Sequence, residues 1–386
     1  MTKEESTILK GIAIILMYIH HLFYLSDRVI GYDIQSLIST DALIGVGVYG
    51  KVCVTIFAFA SGYGITKKYI SCRGSKINWT KSILAEILRL QLSVAGVLVV
   101  ALVVAEVLHT HTFSDVYLQE EGDVGILNLL IDVSGMASLC GKATYNGSWW
   151  YLKIAIWIMI TIPLVNKIYD FIDGHIEWSE NGAAEDTKNL VHMGSVGNLG
   201  GVLLLWIFYV SQILKLPQES FFSNLHLYGS YGIFIPCLGM LAARAGVFEK
   251  CKKGKNSTIL MLPIIVVCIA FSYYGWHNFD PRGMWLTAVM MVGWCFLSIT
   301  ITKIPIVRSI FFILGKYSKY MFLCHSFVFS YFFQQHIYSF HWAGLILLML
   351  VVYTVPLSVA FEWAESLVVK GIVKVYNSLY ERNINS

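Results

Sequence analysis

Lys10 and His21 stand eleven residues apart in the stretch "ILKGIAIILMYIHHLF", separated by an almost unbroken apolar run. At 100° per residue, eleven helical steps total about 1100°, which leaves the two side chains only ~20° apart around the helix. They share one stripe, about 16 Å apart along the axis, while His20 points ~100° away. A neutral imidazole with an ordinary pKa near ~6.5 is suited to removing a proton from a hydroxyl. A cation ~16 Å away is placed to hold a phosphate-bearing head whose thioester arm reaches the ring. A second candidate, His325 in "KYSKYMFLCHSF", lies seven residues past Ser318, ~20° off its line on a helix. Tyr317, Ser318, Tyr320 and His325 offer hydrogen-bond donors of the kind that stabilise a tetrahedral oxyanion. Ser61 lacks the flanking glycines of a Gly-x-Ser-x-Gly elbow, which argues against serine-esterase chemistry. Direct attack by an acceptor oxygen and a transient acyl-imidazole both remain open. His109 and His111, spaced i, i+2 with no third ligand near in sequence, read as surface residues, and no metal is expected.

The elements that must position these residues are membrane helices. Of 386 residues, 56% are hydrophobic and 13% charged, with a mean hydropathy of +0.65; soluble domains carry about 25% charged residues. Long apolar runs recur along the whole chain, so the expectation is one all-α polytopic membrane domain over 1–386 rather than two or three soluble ones. Ten spans are expected near 9–25, 44–65, 86–107, 149–167, 199–215, 229–248, 258–275, 283–301, 317–334 and 342–363. The first apolar segment lacks a signal-cleavage pattern and is expected to remain as an anchor. Five of the eight cysteines, Cys53, Cys237, Cys268, Cys295 and Cys324, lie inside apolar runs, and no CxxC pair occurs. Neither a disulfide framework nor a zinc site is expected.

Lysine and arginine set the orientation. The loop 66–82 carries Lys67, Lys68, Arg73, Lys76 and Lys81, and the same side receives Arg244, Lys250, Lys252, Lys303, Arg308 and the tail with Lys370 and Lys374. The loops 108–148, 216–228, 276–282 and 335–341 hold few cations. Ten spans with both termini cytoplasmic satisfy this asymmetry. The acidic loop 168–198, with Asp170, Asp173, Glu177, Glu180, Glu185 and Asp186, is expected on the cytoplasmic side as an insertion, since acidic residues contribute little to orientation.

Four pieces of the chain together resemble the acyltransferase 3 family of integral membrane acyltransferases. "LKGIAIILMYIHH" is similar to its opening segment, in which a basic residue, usually arginine, precedes a histidine by this spacing; here lysine stands in that place. "VTIFAFASGYGITKKY" resembles its second segment, "GSWWYLKIAIWIM" its aromatic-led middle span, and "ILGKYSKYMFLCHSFVF" its late signature ending in a histidine. The resemblance implies an acyltransferase acting in the cell membrane, with acyl-CoA, commonly acetyl-CoA, as a donor substrate rather than a resident cofactor. It implies an acceptor hydroxyl on a polysaccharide, exopolysaccharide or lipid-linked sugar. It makes His21 and His325 the candidate catalytic residues and Lys10, Lys67, Lys68 and Arg89 the candidate donor-binding residues. Ser318, Tyr320, Trp149 and Trp150 become candidates for substrate binding, although the two tryptophans also fit an interfacial belt. One departure stands out: where the family often places two arginines three residues apart, "ILAEILRLQL" has Glu86 and Arg89.

The competing expectation is a secondary transporter or flippase of glycan precursors, with buried histidines relaying protons. Inverted-repeat transporters tend to show matched pairs of broken spans, and the prolines, including Pro163, Pro236, Pro263 and Pro356, form no such pair. A catalytically silent relative is a third reading, weighed against by the intact Lys10, His21 and His325. Asp280 and Arg282 read as an external loop pair, and no basic, aromatic patch outside the apolar runs points to nucleic acid.

Overall fold

The computed structural model describes residues 1–72, 79–119, 124–137, 140–180, 232–252, 257–278 and 284–384. Among these the protein is helical throughout, with an isolated parallel bridge between Gln35 and Trp342 and no strand. The helices are α1 (Lys3–Phe23), α2 (Ser26–Gly31), α3 (Thr40–Tyr49), α4 (Val52–Ser71), α5 (Trp79–Leu108), α6 (Phe113–Tyr117), α7 (Gly125–Val133) and α8 (Trp150–Glu180). After the segment 181–231 come α9 (Ile235–Ala245), α10 (Val247–Cys251), α11 (Ser257–Asn278), α12 (Met284–Ile301), α13 (Pro305–Lys316), α14 (Ser318–Ser326), α15 (Gln334–Tyr338) and α16 (Ala343–Ile384).

This is the architecture of an all-α polytopic membrane protein. Five stretches of described helix are long and apolar enough to cross a membrane: Lys3–Phe23, Thr40–Ser71, Trp79–Leu108, Gly147–Phe171 and Ala343–Ile372. Shorter apolar helices lie at Gly232–Ala245, Met261–Gly275 and Val289–Ile301. The expected span 199–215 falls outside the described residues. Two details differ in form from the sequence reading. The span expected near 44–65 is two helices, because α3 ends at Gly50 before α4 begins at Val52. The span expected near 317–334 is α14 followed by a π-helical turn over Phe327–Phe332. The acidic segment 168–198 starts inside α8, which runs to Glu180, and the remainder lies outside the described residues.

The residues fall into two compact units, one formed from 1–9, 52–83 and 154–308, the other from 10–51, 84–153 and 309–386. In the first unit α4 and α9 pack backbone to backbone. A Cβ at Gly62 would lie 2.0 Å from the Pro236 carbonyl oxygen, the close approach that small residues permit between membrane helices. Beside it the Arg244 guanidinium donates from Nε to Asn166 Oδ1 (2.9 Å) and from Nη2 to the Asn166 carbonyl (3.1 Å) and Asp170 Oδ1 (2.8 Å), and sits 3.9 Å over the Tyr169 ring. Asn166 in turn donates to Thr66 Oγ1 (3.0 Å), and Tyr69 donates to Asp170 Oδ2 (3.0 Å). The Asp170 carboxylate and the Asn166 oxygens thus compensate a largely buried cation.

In the second unit α1 is gripped on two faces. A Cβ at Gly50 would meet the Leu16 carbonyl at 2.5 Å, and one at Gly11 would meet the Phe311 carbonyl at 2.2 Å. Tyr18 adds a polar tie, donating to Thr354 Oγ1 on α16 at 2.7 Å, and Tyr338 donates to the Leu22 carbonyl at 3.0 Å. These contacts fix the rotation of α1 about its own axis. That rotation decides where His21 points.

Candidate active site

His21 and His325 come together in the second unit, their ring centroids 4.9 Å apart and tilted by 46°. The His325 ring is fully buried, stacked between Tyr18 (5.7 Å, 21°) and Phe329 (5.8 Å, 18°). Its Nδ1 lies 2.6 Å from the Phe322 carbonyl. A carbonyl only accepts, so Nδ1 carries the proton, and in the neutral ring Nε2 presents a lone pair. Ser326 Oγ sits 3.3 Å from that nitrogen, and Ser148 Oγ sits 2.6 Å from Ser326 Oγ. Both His325 nitrogens are therefore engaged.

His21 is the opposite case. It is half-buried, and neither ring nitrogen makes a hydrogen bond to any described residue. Ring contacts surround it, with His325, His20 (5.0 Å), Phe329 (6.0 Å) and Tyr24 (6.4 Å). Its backbone carbonyl accepts from Arg28 Nη1 at 2.9 Å. His20, on the other face, is committed: its Nδ1 lies 2.9 Å from the Gly47 carbonyl and its ring stacks on Tyr24 at 4.6 Å.

The other sequence candidates separate by what already holds them. Lys10 is half-buried on the unbroken α1 helix, with no hydrogen-bond partner for its ammonium among the described residues. Arg89 is exposed on α5. Lys67 pairs with Glu249 at 3.0 Å and lies 5.7 Å over the Tyr63 ring, whereas Lys68 reaches Ser82 Oγ at 3.5 Å. Ser318 is buried at the start of α14. Tyr320 donates to Glu365 Oε2 at 2.8 Å, a carboxylate that also takes the Lys319 ammonium at 2.6 Å. Trp149 is buried and donates from Nε1 to the Leu323 carbonyl at 3.2 Å, pinning α14; Trp150 is half-buried beside Tyr151. Asp280 and Arg282 lie outside the described residues.

The segment between α5 and α8, expected as a loop poor in cations, is a folded layer around a buried carboxylate. Asp132 Oδ2 accepts from the Tyr117 hydroxyl (2.6 Å) and the Tyr145 amide (2.7 Å). The Tyr145 hydroxyl and carbonyl are both bonded to His111 at 2.7 Å, and His111 stacks on Tyr331 at 4.3 Å. Tyr331 also accepts from the Gly147 amide at 3.1 Å. His111 is thus a packing residue of this layer. Burial raises the Asp132 carboxyl above its usual range, offset in part by hydrogen bonds from Tyr117 and the Tyr145 backbone. A raised folded-state pKa contributes stability below the unfolded value, ~4 for a carboxyl, and that contribution is lost as pH rises through the folded value. Protection of the Tyr145 amide in hydrogen exchange, corrected for the intrinsic rate, is expected to fall from acidic to neutral pH. Asp132→Asn keeps an acceptor and should flatten that dependence; an unchanged slope in the variant would assign it to another group.

Tyr18, Ser148 and Ser326 were not singled out by sequence reasoning. Ser326 directly follows His325, and Ser148 is the middle residue of the helical turn Gly147–Trp149, but hydroxyl pairing across 178 residues has no signal in one sequence.

The all-α membrane architecture thus sets a fully buried, hydrogen-bonded His325 ring against a half-buried His21 ring. Residues 4–363 match the Acyl_transf_3 family, described as an acyltransferase domain. The chain belongs to that family and is a membrane acyltransferase, transferring groups other than aminoacyl groups. Searches of curated proteins and of solved structures each found no match.

Proposed function

We propose that the protein moves an acyl group, most simply acetyl, from cytoplasmic acyl-CoA to a hydroxyl of a cell-surface polysaccharide, an exopolysaccharide or a lipid-linked glycan precursor. It works in the plasma membrane with both termini cytoplasmic, as the lysine and arginine asymmetry favours. The observation that carries the reading is the half-buried His21 ring, neither nitrogen bonded to a described residue, 4.9 Å from the buried His325 ring. An imidazole so placed is open to a substrate, either as the base toward a hydroxyl or as the transient carrier of the acyl group. Donor binding falls first to Lys10, whose ammonium has no protein partner among the described residues, and to the exposed Arg89. Lys67 is a weaker candidate because Glu249 already neutralises it.

The test is transfer of labelled acetyl from acetyl-CoA in membrane vesicles, scored on extracted glycan material. Transfer supports the reading; its absence, with solute uptake driven by a pH gradient instead, would favour a transporter. The same assay examines the donor grip. Lys10→Ala is expected to raise KM for acetyl-CoA by about tenfold, the worth of one charge-assisted hydrogen bond, with kcat little changed. Lys10→Arg should restore it, since the charge remains. An unchanged KM in Lys10→Ala would remove Lys10 from the donor site.

A further inference from the structure

His325 is held as a base is held, with both ring nitrogens already engaged by the protein. Its Nδ1 proton is fixed by the Phe322 carbonyl at 2.6 Å, so Nε2 must accept, and the hydroxyl that it accepts from is Ser326, at 3.3 Å. Each hydroxyl has one proton to give. With Ser326 donating to His325, the 2.6 Å contact between the two serines is made by the Ser148 proton. The chain therefore has one direction, from Ser148 through Ser326 to His325. Ser148 is half-exposed, whereas Ser326 and His325 are buried, so the open end of the chain is the Ser148 oxygen, left with a free lone pair.

A second observation marks the same end as a binding position. Asn146 is fully buried, its Oδ1 accepts from the Ser148 amide at 2.9 Å, and its Nδ2 has no hydrogen-bond partner among the described residues. The amide orientation is fixed by that backbone donor, so the orphan group is the NH2. A buried donor left without an acceptor is destabilising, and such a group calls for a ligand oxygen.

We propose that Ser148 receives the acceptor substrate's hydroxyl and that its proton leaves along Ser326 to His325, with the Asn146 side-chain NH2 binding an oxygen of the same acceptor. This rests on the acyl-transfer reading above and adds the acceptor side of that site. As the acceptor oxygen forms its bond to the acyl carbon, its O–H bond breaks and the proton passes to Ser148 Oγ. The Ser148 proton moves to Ser326 Oγ, and that of Ser326 to His325 Nε2. The bond from acyl carbon to sulfur, or to His21 nitrogen in a two-step transfer, breaks with its electron pair on the leaving atom. That atom takes up the proton that His325 returns back along Ser326 and Ser148. Ser148 is then a catalytic residue; Ser326 and His325 are positioning residues that act through it.

The experiment combines kinetics with histidine 15N spectra of the full-length protein in lipid nanodiscs. Ser148→Ala and Ser326→Ala are expected to lower kcat for acetyl transfer by ~10²-fold, the lower end of general-base contributions, with KM for acetyl-CoA unchanged. Ser148→Thr, which keeps a hydroxyl, should recover most of the loss. The spectra read the relay without turnover: His325 is expected protonated at Nδ1, with an Nε2 resonance that moves in Ser326→Ala and, less, in Ser148→Ala. A His325 ring protonated at Nε2 overturns the proposal whatever the reaction is. Serine variants as active as wild type, alongside an inactive His21→Ala, overturn the relay and leave the acyl-transfer reading standing. Impaired serine variants alongside a fully active His21→Ala support the relay and remove His21 from the reaction.

Discussion

His21→Ala is expected to lower acyl transfer by at least ~10²–10⁴-fold, the scale of a positioned proton-transfer group and the loss expected equally if the ring carries the acyl group, while the protein remains folded and inserted. The structural cost should be small, because the His21 ring nitrogens bond to no described residue and its neighbours are aromatic rings that can relax. His20→Ala supplies the contrast. It removes the Nδ1 contact to the Gly47 carbonyl, a loss of ~0.5–1.5 kcal/mol in stability, yet should keep most of the activity because its ring is turned to the other face of α1. Transfer of labelled acetyl by membrane vesicles, normalised to the amount of monodisperse protein extracted, measures both. Equal rates for wild type and His21→Ala would sink the assignment, and a larger loss in His20→Ala than in His21→Ala would shift the base to the neighbouring ring.

The second large effect concerns folding. Gly11→Leu is expected to prevent recovery of folded protein, since even the first carbon of a side chain at Gly11 would stand 2.2 Å from the Phe311 carbonyl oxygen and 3.1 Å from the Gly315 amide nitrogen. Both obstacles are backbone atoms. The cost should exceed the ~1–3 kcal/mol of ordinary overpacking, where side-chain ends can move aside. Gly64→Ala is the control, because a Cβ there meets nothing within 4 Å, and alanine in an exposed helix should be neutral or stabilise by up to ~1 kcal/mol. Size-exclusion profiles of the detergent-extracted proteins decide it. A monodisperse Gly11→Leu protein with wild-type thermal stability would show that α1 does not need this approach.

The membrane class was legible from apolar runs alone, because a bilayer demands them at fixed length. So was the pairing of Lys10 and His21 on one stripe, which α1 preserves by running unbroken from Lys3 to Phe23. Family resemblance singled out His325, but not what surrounds it. Its Nδ1 contact with the Phe322 carbonyl and its neighbour Ser326 turn it from a free donor into an acceptor, a distinction made by backbone geometry that residue types do not encode. Tyr320 and Trp149 carry the right chemistry for a substrate, yet their polar atoms are spent on Glu365 and the Leu323 carbonyl. Periodicity reads faces of single helices, whereas Ser148 and Ser326 meet across 178 positions. The folded layer around Asp132 was hidden for the same reason, since its tyrosines and histidine pair through turns rather than through a repeat.

The π turn at Phe327–Phe332 gives that layer a mechanical part to play. A π turn packs its hydrogen bonds less well than an α turn and is sustained by surrounding structure. Here the Phe327 ring lies 5.8 Å from both Tyr145 and Trp149, and Tyr331 is stacked under His111 and bonded to Gly147. If the layer lifts, the turn is free to rewind as α, and each residue of slip rotates the following side chains by ~100°. His111, Tyr145, Gly147 and Trp149 thus form a splint on the late helix, holding the winding that begins directly after the His325–Ser326 pair.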